Sequence, residues 1–189
     1  MAKVAKIYDG TAWVDLATSV PDLSNYQLKS EGGLTLVKKQ TIGTAVSTVV
    51  VNDAFNATYE AYRILVAGGT GSTNDNISIK LSGSGANYHY ALLYLDYTST
   101  TPAGVSAQNA ATIPFVGYNH STVGKSMVLD VVNPFLTTYT TFHANAVGNT
   151  LSGTIGGIHK ASTSYTGFEL TSGASMTGGT VYVYGYNKG

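Results

Sequence analysis

The stretch Ile77 to Tyr97, ISIKLSGSGANYHYALLYLDY, constrains the fold more than any other part of the sequence, because two apolar runs flank a Gly/Ser/Asn break. In Ile77-Ser78-Ile79-Lys80-Leu81 the apolar residues alternate with polar ones, the two-residue period of a β-strand with one face buried and Ser78 and Lys80 in water. Tyr88 to Tyr97 is apolar or aromatic on both faces, which places it inside a sandwich or against a neighbouring subunit. Tyr90, Leu93, Tyr94 and Tyr97 also fit helical spacing, but the short length, the tyrosines and the Gly83/Gly85 hinge favour a strand.

Similar runs recur along the chain. From Leu34 onward, Leu34 to Lys39, Thr48 to Val51, Tyr59 to Val66, Ser126 to Val132, Tyr139 to Val147, Thr154 to His159, Thr166 to Thr171 and Thr180 to Tyr186 all read as strands, with turn residues between them. A short helix is expected near Pro134 or around Asp53 to Glu60. Short, regularly spaced strands predict an all-β, antiparallel sandwich, with the eight-stranded jelly roll as its commonest form. The 22 glycines and 14 tyrosines suit such a fold, whose turns need glycine and whose faces carry aromatic and hydroxyl side chains.

The first 33 residues read differently. Val4 to Leu16, VAKIYDGTAWVDL, is a hairpin around Asp9-Gly10, a dipeptide suited to a type I′ turn. A two-stranded hairpin is marginal in water, and Trp13, the sole tryptophan, needs more cover than its neighbours offer. It either packs back on its own domain or adds to a partner's sheet edge. Ala17 to Gly33 lacks a sustained period and reads as a linker. The expected organisation is therefore a hairpin and linker over 1–33 and a β domain over 34–189.

Charge narrows the partners. Formal net charge is zero, only 11% of residues are charged, and Arg63 is the one arginine, so nothing resembles an electrostatic footprint for nucleic acid or an anionic membrane. Cysteine is absent, which removes disulfides, thiolate catalysis and cysteine-ligated zinc. Met1-Ala-Lys-Val-Ala-Lys has no apolar run after it, so no secretory signal or membrane span is expected and folding in a cytosol is. His89, His120, His143 and His159 lack metal-motif spacing, and Thr73-Asn74-Asp75-Asn76 lacks the carboxylate density of a calcium loop. Gly68-Gly69-Thr70-Gly71-Ser72 shares only its glycines with a phosphate loop and reads as a turn. His89 or His143 with Asp96 or Asp130 could be drawn into a triad, but there is no Gly-x-Ser-x-Gly elbow. No enzyme, cofactor or metal is expected.

Two further stretches suggest contact surfaces. In Thr180 to Tyr186 the valines alternate with Tyr182, Tyr184 and Tyr186, a stripe that suits a subunit interface because a tyrosine ring is apolar with a polar tip. Thr98 to Ile113, rich in Ser, Thr, Ala and Asn, reads as a long loop and the leading candidate for recognition. Tyr94, Tyr97 and Tyr118 would supply flat faces for a sugar ring beside it.

The opening Ala5-Lys6-Ile7-Tyr8-Asp9-Gly10-Thr11-Ala12-Trp13-Val14-Asp15-Leu16 resembles that of many bacteriophage minor tail and fibre proteins. Ile79 to Tyr88 with its GxGxNY turn, the DxxN of Asp130 to Asn133, and the closing Met176 to Tyr186 with its GGTxxxYG strand are similar to a widespread phage virion domain. The resemblance implies a virion structural protein of a tail tip or fibre, with a jelly-roll-like sandwich, an attachment segment around Tyr8, Asp9, Gly10 and Trp13, and homo-oligomers of three-fold symmetry. Its partners would be copies of itself, other virion proteins and a host-surface glycan. A capsid decoration protein is the alternative within that class, and a carbohydrate-binding module the alternative outside it.

Overall fold

The computed structural model describes residues 6–15 and 33–187. Every strand pair in it is antiparallel, and no helix occurs among the described residues. The turns at Asp53 to Glu60 and after Pro134, where a helix was expected, are irregular. The chain divides into two units, one holding the described residues 6–15, 33 and 187, the other Leu34–Tyr186.

The first unit contains β1 (Lys6–Tyr8) and β2 (Trp13–Asp15), paired with Tyr8 opposite Trp13. The loop between them is four residues rather than the two of a type I′ turn. Gly10 alone takes a positive φ, +100°. Asp9 closes the loop: its Oδ1 accepts from Thr11 N and Thr11 Oγ1, both at 2.8 Å, and from Ala12 N at 2.9 Å. A side chain that satisfies several local donors holds a turn without a core beneath it.

The second unit is a thirteen-stranded sheet that branches. Its strands are β3 (Leu34–Thr41), β4 (Val46–Val51), β5 (Ala61–Gly68), β6 (Thr70–Gly71), β7 (Asp75–Leu81), β8 (Tyr88–Asp96), β9 (Ala103–Ala110), β10 (Ile113–Asn119), β11 (Lys125–Val132), β12 (Thr140–Val147), β13 (Leu151–His159), β14 (Phe168–Thr177) and β15 (Thr180–Tyr186). All ten strands read from the sequence beyond Leu34 are present. β11 pairs with β5 along its whole length on one edge. Its other edge is shared, by β10 over Lys125–Met127 and by β12 over Leu129–Val132. One branch therefore runs β3-β15-β5-β11-β12-β13-β8-β9, and the other runs from β11 through β10, β7 and β14 to β4, with β6 also on β14.

The divergence has a local cause in β10. Pro114 has no N–H to give a ladder, Phe115 takes a φ of +57°, and between Ile113↔Ile79 and Gly117↔Ile77 the register with β7 slips. Such a bulge bends its strand and turns it out of the parent sheet. The inward side chains of both branches then form one apolar cluster, among them Ile64 and Leu129 from one branch and Ile79 and Leu170 from the other. The arrangement is sandwich-like, and its branched order is larger than the eight strands of a jelly roll.

Ile77, Ile79 and Leu81 are all fully buried, as their alternation requires. Yet β7 and β8 do not pair: β7 lies between β10 and β14, and β8 between β13 and β9. The Gly/Ser/Asn break carries the chain from one branch to the other, with Gly83 at φ +78° and Asn87 at +67°. Tyr88 then drops into the core, its hydroxyl accepting from Leu81 N at 2.6 Å. The closing Gly178-Gly179 turn is equally conformational, with φ of +62° and +88°. It crosses the Gly68-Gly69 turn so closely that a Cβ on Gly69 would lie 2.2 Å from Gly178 O.

The stretch Thr98 to Ile113 is the main correction. It is a turn followed by β9, which pairs antiparallel with β8 and leads directly into β10. As an edge strand it needs only one partner and packs little, so Ala, Gly, Ser, Gln and Asn suffice where a central strand would need branched or aromatic side chains.

Candidate assembly and binding surfaces

The outward face of the eight-strand branch is the most extensive candidate surface. Register aligns Leu36, Tyr184, Arg63, Asp130, His143, Gly156, Ala91 and Ser106 in one row across it. At its centre Arg63 forms a bidentate pair with Asp130, Nε to Oδ1 at 2.9 Å and Nη2 to Oδ2 at 2.7 Å. The Tyr186 hydroxyl donates to the same Oδ1 at 2.8 Å, and the Arg63 guanidinium lies 5.7 Å from the Tyr186 ring centroid. The guanidinium's hydrogen bonds hold the Asp130 carboxyl below its usual range, and the same pairing raises Arg63. Partial burial, with the neighbouring carboxylate, pushes the Tyr186 phenol up.

Around this neutralised pair the face mixes apolar side chains with exposed polar ones such as Thr141, His143, Asn145 and Thr154. Leu34, Leu36, Val128, Val132, Val147, Leu93 and Leu95 stand exposed, with Leu93 at 60%. Tyr182, Tyr184 and Tyr186 point outward, half-buried, while Val181 and Val183 fill the core behind them. Tyr182 and Tyr184 stack at 6.3 Å, with Lys39 Nζ 5.7 Å from the Tyr182 centroid. Gly185 has no side chain because the Tyr59 ring occupies its place: a Cβ there would sit 2.3 Å from Tyr59 Cγ.

Tyr8, Asp9, Gly10 and Trp13, expected from the sequence to serve attachment, all lie on the hairpin. Tyr8 and Trp13 are 54% and 67% exposed, with ring centroids 5.5 Å apart, so the cross-strand tyrosine supplies a neighbour for the indole. Thr11 and Ala12 N–H groups depress the Asp9 carboxyl, the Ala12 bond most.

The three tyrosines expected beside a recognition loop divide. Tyr97 and Tyr118 meet at the β12–β13 turn: the Tyr97 hydroxyl donates to Gly148 O at 3.3 Å, and a Cβ on Gly148 would lie 2.8 Å from the Tyr118 ring. Tyr118 also packs on His120 at 4.7 Å. Tyr94 turns the other way, onto the core cluster, because it shares the inward face of β8 with Leu92. The loop itself is the strand β9, so no long loop flanks them.

The histidines and carboxylates stay scattered. His143 is the cross-strand neighbour of Asp130, but its Nε2 lies 3.2 Å from Thr154 Oγ1 and Asp130 is engaged by Arg63 and Tyr186. Sequence reasoning missed one close pair, Ser84 Oγ and His159 Nε2 at 2.8 Å. His159 is fully buried between Tyr88 and Tyr165, its Nδ1 has no hydrogen-bond partner, and burial lowers its pKa. That ring is packed rather than oriented by a carboxylate, as general-base catalysis would want. No group of three or more metal-ligating side chains occurs among the described residues. The Arg63–Asp130–Tyr186 cluster was also missed, although the lone arginine pointed to it, because the register that unites strands so far apart cannot be read locally. Compared with protein-family models, curated proteins and solved structures, the chain matches none.

Proposed function

We propose that this chain is a bacteriophage virion structural protein, a minor tail, tail-tip or fibre component that assembles with copies of itself and grips the particle through its N-terminal hairpin. The reading rests on the resemblance carried by Ala5 to Leu16, the GxGxNY turn and the closing strand. The observation that supports it best is the hairpin: Tyr8 and Trp13 stand exposed at the strand ends that flank a four-residue loop closed by Asp9, in a unit separate from the β domain. A rigid turn presenting an uncovered indole is a ready anchor, since tryptophan contributes heavily to interfaces when buried there.

The test is removal of residues 1–33 from the chain in phage. The truncated protein is expected to fold as a β domain and to be lost from particles. Incorporation at the normal level would overturn the attachment role, and immunogold labelling of wild-type particles separates tail from shell: label confined to the capsid would replace the tail assignment with a decorating one.

A further inference from the structure

Asp75, Asn119 and Lys125 are successive cross-strand partners on β7, β10 and β11. Asn119 is wholly buried and Lys125 is 4% exposed, in line with the inward Met127 and Leu129 of β11. Directly opposed residues on one face of an antiparallel pair bring their Cβ atoms within about 5 Å, so the two side chains are neighbours, and attack on the asparagine Cγ requires the lysine amine to swing off the carbonyls that hold it.

Both side chains sit in costly surroundings. Lys125 Nζ donates to Thr70 O at 2.8 Å and to Thr177 O and Gly178 O at 3.1 Å, carbonyls with no countercharge. Buried lysines ordinarily have a carboxylate partner. Asn119 Oδ1 is buried with no donor. Asn119 Nδ2 donates to Ala174 O at 3.2 Å and to Ser172 Oγ at 3.5 Å, and that hydroxyl in turn donates to Asp75 Oδ2 at 3.4 Å. A carboxylate is thus wired through one hydroxyl to the amide nitrogen.

We propose that Lys125 and Asn119 condense into an intramolecular isopeptide bond that ties β10 to β11, with Asp75 and Ser172 carrying the proton. The Lys125 ammonium gives up a proton, and the free amine attacks Asn119 Cγ, forming the new C–N bond. The tetrahedral adduct collapses as the Cγ–Nδ2 bond breaks. Asp75 takes up the ammonium's proton and returns it through the Ser172 hydroxyl to Nδ2, which leaves as ammonia, and the second proton on the attacking nitrogen passes to that ammonia to give ammonium. Lysine ammonium plus amide becomes secondary amide plus ammonium ion, with atoms and charge balanced and no oxidant or cofactor. Desolvation already lowers the pKa of the Lys125 amine, which eases the first step. The product is neutral, so the buried charge disappears.

Intact-mass spectrometry of the purified full chain, corrected for any loss of Met1, tests it. The expected mass falls short of the sequence by one ammonia, trypsin no longer cleaves after Lys125, and tandem spectra lack backbone fragments between residues 119 and 125. Asp75→Asn should slow the loss of ammonia and Lys125→Arg should abolish it. A folded wild-type chain of full mass, cleaved normally after Lys125 following prolonged incubation, overturns the proposal. So does a shortfall that persists in Lys125→Arg, which would mark a succinimide at Asn119. Should Lys125→Arg fail to fold, the wild-type mass and its cleavage at Lys125 decide the matter alone.

Discussion

At the scale of single residues, two groups give this chain separate acid-sensitive windows. Burial lowers the His159 pKa in the folded state, so the unfolded chain binds that proton more readily. The stability associated with the neutral ring is complete above the unfolded histidine value, about 6.5, and is lost as pH falls below it. Asp130 is depressed by Arg63, so its contribution is complete above about 3.9 and is lost only as pH falls further. Its side chain and that of Arg63 are 30% and 40% exposed, and screening holds the pair's contribution to about 1 kcal/mol or less. Urea melts across pH should therefore show a first decline near pH 6 that His159→Phe removes, since phenylalanine keeps the packing on Tyr88 and Tyr165 without titrating. Asp130→Asn should leave that decline intact and flatten only the lower one. Space is as sharply set as charge at Gly185. A methyl there meets the Tyr59 ring, and overpacking of this kind costs about 1–3 kcal/mol, so Gly185→Ala should lower the urea midpoint with little change in slope.

At the scale of elements, legibility followed apolar patterning. Strands with inward Ile, Leu or Val at every second position, such as β7, β11 and β15, were readable because the sheet's period writes itself into the sequence. β9 was read as a loop because an edge strand of small polar residues has no apolar face to display. β10 was missed because Pro114 and Gly117 look like breakers, where the structure uses them to bend a strand. Hydrogen exchange checks the assignment: amides of β13, bonded to strands on both sides, should be protected throughout, and those of β9 should alternate between protected and fast. Uniformly fast exchange across Ala103–Ala110 would restore the loop. The hairpin was legible in its ends and not in its turn, because Asp-Gly signals a reversal without fixing how many residues make it. Its Trp13 is the chain's one indole and is exposed, so free protein should emit at the red, water-exposed end of the tryptophan range and be readily quenched by acrylamide. A blue shift on addition to particles lacking this protein would report the docking of the hairpin.

At the scale of the whole molecule, the question is what covers the eight-strand face. Leu34, Leu36, Val128, Val132, Val147, Leu93 and Leu95 are exposed on one side of a continuous sheet, together with three half-buried tyrosines. Exposed Thr141, His143, Asn145, Ser152 and Thr154 stand between them, so the face offers several apolar patches set among polar side chains, a mixture that subunit interfaces use. Charge does not oppose contact between copies: the chain's formal net charge is zero, and the Arg63–Asp130 pair on this face is already neutralised within one chain. Association through this face would place the tyrosine hydroxyls and the ion pair in a boundary that is apolar with polar tips, the setting aromatic-rich interfaces use. A closed ring limits such a surface to a finite assembly instead of a filament, and three-fold symmetry is the form the phage resemblance implies. Sedimentation equilibrium at micromolar concentration should therefore find trimers of the wild-type chain. Leu36 and Val132 lie on the outward face with no core role, so Leu36→Lys combined with Val132→Lys should shift the protein toward monomer while its far-UV spectrum is unchanged. A wild-type chain that stays monomeric at that concentration removes self-assembly through this surface, and a double variant that remains trimeric moves the interface to another face of the molecule.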